Sequence, residues 1–204
     1  MEQIAKGLTK TAFQANVMDA IYSRRSTREY TNREVSRQAV EELIGAAIQA
    51  PSAMNSQPWA FVVIQDPALL REICQEAKEL LKKSSEWRKA SEHGKVPFTQ
   101  PEFDIFYGAT TLITICAQKD GFQPVGDCYL AAENLMLAAT ALGLATCPIG
   151  FARDVLKSKS FRERLAIPGD FEPVLPIIVG YSAAMIENTP RNPPKIFSWK
   201  MASH

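Results

Sequence analysis

With 204 residues, 46% of them hydrophobic and 22% charged, the chain has the composition of a folded soluble protein, which excludes wholesale disorder and collagen-like repeats. Twenty-three Lys and Arg against 22 Asp and Glu leave a formal net charge of +1, so nucleic acid is a poor partner for the molecule as a whole. The four cysteines, Cys74, Cys116, Cys128 and Cys147, show no Cys-x-x-Cys spacing, and three lie in apolar runs. They read as reduced core residues rather than as a metal site.

The opening Met1-Glu2-Gln3-Ile4-Ala5-Lys6 has no basic and apolar regions of an export signal, and we expect a cytoplasmic protein. Val17 to Ser23 forms a short helical pattern. Ser36 can cap a second helix in which Val40, Leu43, Ile44, Ala47 and Ile48 recur at helical spacing until Pro51 stops it. Trp59 to Ile64 is a compact apolar run, which predicts a strand with both faces covered. Asp66-Pro67 opens a helix from Ala68 to about Lys83, with proline in its first turn.

Residues 84–104 mix charges, Gly94, Pro97 and Pro101 with Trp87, Phe98 and Phe103, the composition of a lid with a polar outside and an apolar underside. Ala109 to Ala117 reads as a buried strand, Gly126 to Leu142 as a helix apolar almost all round, Ala145 to Ile149 as a short strand and Val174 to Tyr181 as another. The uncharged stretch Asn134 to Ala152 approaches the length of a membrane span, but Gly143, Pro148 and Gly150 cut it. Residues 187–204 form an arm, since Thr189-Pro190-Arg191-Asn192-Pro193-Pro194 cannot continue a helix. No repeat or linker divides residues 1–204, which predicts one α+β domain with helices covering a small sheet. The all-round apolar helix predicts burial against a second subunit.

Two segments carry chemistry. Tyr22-Ser23-Arg24-Arg25-Ser26-Thr27-Arg28 gathers three guanidinium groups among hydroxyls, which suits a phosphate, although a solvated basic turn has the same composition. Ala50-Pro51-Ser52-Ala53-Met54-Asn55-Ser56-Gln57-Pro58-Trp59 sets amide and hydroxyl groups between two prolines at a helix–strand junction. Such a loop reads the edge of a planar heterocycle or merely satisfies its own backbone.

Taken together and in order, these segments resemble the opening of the nitroreductase family of FMN-dependent oxidoreductases. The similarity continues in Leu135-Met136-Leu137-Ala138-Ala139-Thr140-Ala141-Leu142-Gly143-Leu144-Ala145-Thr146-Cys147-Pro148-Ile149-Gly150, in Val179-Gly180-Tyr181 and in Pro190-Arg191. It spans about Asp19 to Pro193.

The resemblance implies a small, mostly antiparallel central sheet covered by helices, in an intertwined homodimer with two FMN sites at the subunit interface. By position, Arg24, Arg25, Ser26 and Arg28 would bind the ribityl and phosphate end, and Arg191 would add a charge to the phosphate. Pro51, Ser52, Ala53 and Asn55 would reach the same flavin from the other subunit, with Gln57 supporting their loop. Pro148, Ile149 and Gly150 would lie along the isoalloxazine, with a backbone N–H near Gly150 directed at N5. The phosphate carries nearly two negative charges, which two or more arginines free of a competing carboxylate neutralise. The implied activity is hydride transfer from NADH or NADPH to FMN, then ping-pong reduction of a small conjugated acceptor. No side-chain nucleophile is required. A flavin-dependent dehydrogenase or dehalogenase on a dedicated metabolite, and a flavin-binding protein without turnover, are the other readings.

Other candidates are weaker. His93 and His204 read as a solvated loop residue and a chain end. Asp127 and Glu133 face different sides of one helix and form no carboxylate pair.

Overall fold

The computed structural model describes residues 16–83, 100, 102–184 and 189–201. Helix α1 (Val17–Ser23) starts where the Asn16 side chain accepts the Asp19 N–H at 3.0 Å. Helix α2 (Arg37–Ala47) is capped by Ser36, whose hydroxyl accepts the Ala39 N–H at 3.2 Å. It stops at Ala47, before Pro51 is reached. After a 3-10 turn at Ala53–Asn55 come strand β1 (Trp59–Ile64) and helix α3 (Pro67–Lys83), which begins on its proline as expected. Strand β2 (Thr111–Gln118), helix α4 (Pro124–Ala141) and strand β3 (Ala145–Pro148) follow. A 3-10 turn (Gly150–Ala152), helices α5 (Arg153–Lys157) and α6 (Lys159–Arg164), and strand β4 (Phe171–Gly180) complete the elements.

All strand pairings are antiparallel, in the order β1-β2-β4-β3. The two central strands bury both faces, and their side chains alternate between two cores. Ile113 and Ile115 of β2, with Ile177 and Val179 of β4, pack on Leu43 and Ala47 of α2 and on Cys128, Leu135 and Ala139 of α4. Leu112 and Ile178 face the other way, onto Ile73 and Ala77 of α3, Val155 and Leu156 of α5 and Phe161 of α6. A four-stranded sheet with helices on both faces is the expected α+β architecture.

Three features depart from the sequence-based expectation. Strand β1 lies at the sheet edge, and of its six residues only Ile64 is buried, while Val63 is exposed. Among the described residues both of its faces are only partly covered, Trp59 and Phe61 packing on one core and Val62 on the other beside Ile64. Strand β4 begins at Phe171, three residues before Val174, and runs through Pro173 and Pro176. It does so because the register shifts opposite Ile115 and Cys116, leaving Val174 unpaired, so a proline is accommodated at an irregularity of the ladder. Helices α5 and α6 are too short to show periodicity in the sequence.

The face of α4 that turns from the sheet keeps Val125, Tyr129 and Leu130 about half exposed, and α1 beside it exposes Val17, Met18, Ile21 and Tyr22. The arm from 189 to 201 has no regular structure and exposes Ile196, Phe197 (98%) and Trp199 (77%). Among the described residues no helix is long and apolar enough to cross a membrane. Residues 84–99, with Trp87, His93 and Phe98, lie outside the described residues, as does His204.

Candidate functional site

Arg24 ends α1, its N–H donating to the Ala20 carbonyl at 2.9 Å. From there the chain runs along the free edge of β3. Ser26 forms a parallel bridge with Thr146, and the Thr27 N–H donates to the Thr146 carbonyl at 3.0 Å. Tyr30 then pairs with Ser182, and the Thr31 N–H donates to the Tyr181 carbonyl at 2.9 Å. A segment that the sequence separates from Pro148-Ile149-Gly150 by more than a hundred residues is thereby stitched beside the strand that leads into it.

The side chains confirm the proximity. Burial raises the Cys147 thiol pKa, while Arg28, Ser26 and Arg24 act in the opposite sense. Burial also raises the Tyr107 phenol, and the charge and hydrogen bond of Arg28 oppose it. Tyr30 is pushed up by burial and by Cys147, with Thr27 and Arg28 opposing. Arg28 therefore faces Tyr107 and Tyr30 across the end of β3. Gly180 makes room for this arrangement, because a Cβ there would stand 2.8 Å from the Tyr30 ring.

The three arginines are not equivalent. The Arg25 guanidinium turns back and donates to the Tyr22 and Arg24 carbonyls, each at 2.7 Å, holding the end of α1. Arg24 is largely buried, with its Nε 3.6 Å from the Glu133 carboxylate. The expectation of arginines free of a competing carboxylate is thus corrected for Arg24, to which α4 brings Glu133. Arg191 lies in the exposed arm, and its Nη1 contacts the Thr189 carbonyl at 3.5 Å.

In the Pro51–Trp59 loop, Ser52 and Ala53 are half-buried, whereas Pro51, Met54, Asn55 and Gln57 are exposed. The Gln57 N–H donates to the Ser52 hydroxyl at 2.9 Å, and the Gln57 side-chain amide donates to Asn55 Oδ1 at 3.3 Å. Met54, Asn55 and Gln57 all have positive φ, 54°, 54° and 47°, a left-handed conformation that side chains disfavour. The Ala53 N–H donates to both carboxylate oxygens of Asp127 at 3.3 and 3.2 Å.

Beyond β3, Ile149 is buried in the core and its N–H donates to the Pro176 carbonyl at 2.8 Å. Pro148 is half-buried. Gly150 is exposed and opens a 3-10 turn, and a Cβ on it would meet no atom within 4 Å. Open space therefore stands beside its backbone. A cleft of about 1030 Å³ between α3 and residues 102–110 is lined by none of these candidates.

Sequence reasoning gave three residues no part in the candidate segments. Asp127 and Glu133 do face different sides of α4, and each binds one of the two candidate segments. An acid in the first turn of a helix otherwise apolar was the available signal for Asp127. Tyr107 reads in the sequence as a pocket-lining or core aromatic, and its approach to Arg28 arises only through the fold.

The profile of the Nitroreductase family matches residues 21–181, a span that contains the arginine segment, the loop and the Pro148–Gly150 turn. The chain belongs to the nitroreductase family. A candidate NADH dehydrogenase/NAD(P)H nitroreductase of Archaeoglobus fulgidus is 34% identical over 166 residues, covering 79% of this chain and 82% of that protein. An iodotyrosine deiodinase of Haliscomenobacter hydrossis is 27% identical over 90% of this chain and 86% of its own length. The crystal structure of a nitroreductase with bound FMN from Desulfitobacterium hafniense superposes with a TM-score of 0.76 at 26% identity, covering 90% of this chain and 98% of that one. One from Bacteroides fragilis, also with bound FMN, gives a TM-score of 0.79 at 23% identity, covering 91% of this nitroreductase-family chain and all of the other, and so matches it in fold.

Proposed function

We propose that this chain is an FMN-dependent oxidoreductase that takes hydride from NADH or NADPH and reduces a small conjugated acceptor, such as a nitroaromatic or a quinone, by ping-pong chemistry. The observation that carries this reading is the alignment of the Arg24–Arg28 segment along β3, which sets a cationic, hydroxyl-bearing strip beside the strand that leads to the exposed Gly150 turn. The residues fit the flavin. Arg24 and Arg28, with the Ser26 hydroxyl, supply charge-assisted donors for the phosphate and ribityl end, and Arg191 adds a further charge from the arm. Arg25 supports this end by fixing the turn after α1.

Gly150 leaves open space in which a planar ring can approach the backbone, with its N–H serving the ring N5, while Pro148 and the Ile149 backbone flank it. FMN, when bound, supplies the hydride chemistry, and the protein contributes binding, orientation and polarisation.

The functional unit is a homodimer with a flavin at each end of the subunit interface. Arg24 and the Pro51–Asn55 loop attach to α4 through Glu133 and Asp127. Six residues on a helix place these anchors about 9 Å apart along the axis and about 120° apart around it. The loop thus stands on a different side of α4 from the arginines of its own chain, in a position to serve the partner's flavin with Ser52, Ala53 and Asn55, braced by Gln57. The half-exposed apolar faces of α1 and α4, and the aromatic arm, are the surfaces that dimerisation would cover.

The test is the absorbance spectrum of the purified protein, identification of any released flavin, and steady-state oxidation of NADH and NADPH with a panel of acceptors. A flavin spectrum with turnover of either nicotinamide is expected, and a colourless protein that takes up no FMN overturns the reading. The similarity to an iodotyrosine deiodinase over 90% of the chain favours a second reading, reductive dehalogenation. A halogenated phenol therefore belongs in the panel, and its selective turnover would replace the nitroaromatic and quinone assignment.

A further inference from the structure

We propose that Asp127 is a positioning residue for the flavin-binding loop: its carboxylate fixes the Ala53 amide and thereby holds Ser52 and Asn55 in the conformation that contacts the cofactor. The proposal rests on the flavin reading above. Asp127 is only 5% exposed, in the first turn of α4. It takes part in none of the ion pairs formed among the described residues, and both of its oxygens accept the Ala53 N–H. A buried carboxylate without a cation carries a desolvation cost that an amide side chain would largely avoid. What the charge adds is a stronger hydrogen bond to the amide, together with stabilisation by the N-terminal dipole of an 18-residue helix.

The loop needs that bond. Within residues 51–57 the remaining hydrogen bonds are internal: Asn55 N–H to the Ser52 carbonyl, Ser56 N–H to the Ala53 carbonyl, Gln57 N–H to the Ser52 hydroxyl and Gln57 to Asn55. The Pro58 carbonyl at the end of the loop accepts the Gln118 N–H of β2 at 2.7 Å, and among the described residues the hydrogen bond that ties residues 51–57 to another element is the one from Ala53 to Asp127. Met54, Asn55 and Gln57 in left-handed conformations persist only where surrounding structure over-determines them. Asp127 supplies that constraint from the helix whose outer side exposes Val125, Tyr129 and Leu130, so loop conformation is tied to the position of the interface helix.

The experiment compares the full-length wild type with D127A, D127N and, as a core control on the same helix, L135A. Each is stripped of flavin, and four quantities are measured: FMN affinity by fluorescence titration, visible circular dichroism of the reconstituted protein, thermal midpoint, and amide exchange of residues 51–57 in the apoprotein. D127A should weaken FMN binding by about tenfold or more, the equivalent of one charge-assisted hydrogen bond. It should also speed exchange in the loop and alter the flavin dichroism. D127N keeps one acceptor oxygen and should recover most of the affinity, whereas L135A should lower the thermal midpoint while leaving affinity and loop exchange unchanged. Wild-type affinity and exchange in D127A overturn the positioning role. So do equal losses of affinity in D127A and L135A, which would mark a merely structural acid. If D127A does not fold, D127N decides: a partial loss of affinity with faster loop exchange, absent from L135A, supports the role, and wild-type affinity and exchange, or losses no different from those of L135A, overturn it. A wild type that takes up no FMN overturns the flavin reading itself and the positioning role with it.

Discussion

Arg24 meets Glu133 at 3.6 Å in this chain and, in the proposed enzyme, a phosphate. The Glu133 carboxylate is half exposed, so the pair is worth less than about 1 kcal/mol. A phosphate oxygen held by a guanidinium is worth about 1.5–3 kcal/mol. The phosphate wins. Arg24→Ala should therefore weaken FMN binding about tenfold to a hundredfold in titration of the apoprotein, whereas Glu133→Gln should tighten it by up to about fivefold. Wild-type affinity in Arg24→Ala would remove Arg24 from the phosphate site. Gly180 offers a second test at this scale. The methyl of Gly180→Ala would stand 2.8 Å from Tyr30 Cδ1, so the ring and the segment that carries it must shift, a strain of about 1–3 kcal/mol. We expect a lowered thermal midpoint together with weakened flavin binding, because Tyr30 belongs to the strip that begins at Arg24. A variant that loses neither would show that the segment moves freely against β4.

Helix α4 organises the site as an element. Its inner side is core, through Cys128, Ala131, Leu135 and Ala139. Its polar exceptions, Asp127 and Glu133, anchor the loop and the arginine segment. Its remaining side, with Val125, Tyr129 and Leu130 half exposed next to Val17, Met18, Ile21 and Tyr22 of α1, is too apolar to stay in water. Leu130→Asp should dissociate the proposed dimer and release flavin together, as sedimentation with absorbance detection would read. A charged α4 face on an intact, flavin-loaded dimer would exclude this helix from the interface. Shared sites also predict complementation. A subunit carrying Arg24→Ala and Arg191→Ala, mixed with one carrying Ser52→Ala and Asn55→Ala, should regain about half of wild-type flavin occupancy, since one site receives every defect and the other none. If each site lay within one chain, no recovery would appear.

At the scale of the whole molecule, the four cysteines bear on stability. All are free and buried. Burial pushes the Cys116 thiol up to about 11, with Arg162 opposing, and the Cys128 thiol up to about 12, with Cys116 and Asp127 adding to the shift. A folded-state pKa above the unfolded value means that the native state holds its protons longer. The stabilising contribution is therefore complete below about pH 9 and is lost as pH rises through about 11 and then about 12. We expect denaturant midpoints to fall steadily above pH 9, and Cys128→Ala to fall less steeply when each variant is referred to its own value at pH 7. Equal slopes would mean that Cys128 ionises without unfolding the core.

The sequence by itself determined most of the local structure and the residue types of the site. The cap at Ser36, the proline opening of α3 and the apolar runs of β2 and α4 are local rules, and they held because nothing tertiary opposed them. The arginine run, the bracketed loop and the Pro148–Gly150 turn were legible through their resemblance to one family. The tertiary structure decided which of these residues meet. Pairing along the edge of β3 carried Arg24–Arg28 to Thr146, on the strand that leads to Gly150, and the packing of α4 brought Glu133 to Arg24 and Asp127 to Ala53. It also turned Arg25 back onto its own helix, left β1 at the sheet edge and let β4 pass through Pro173 beside a bulge. Contacts between residues 74 to more than 100 positions apart leave no periodic trace in a chain, because they depend on where whole elements come to rest.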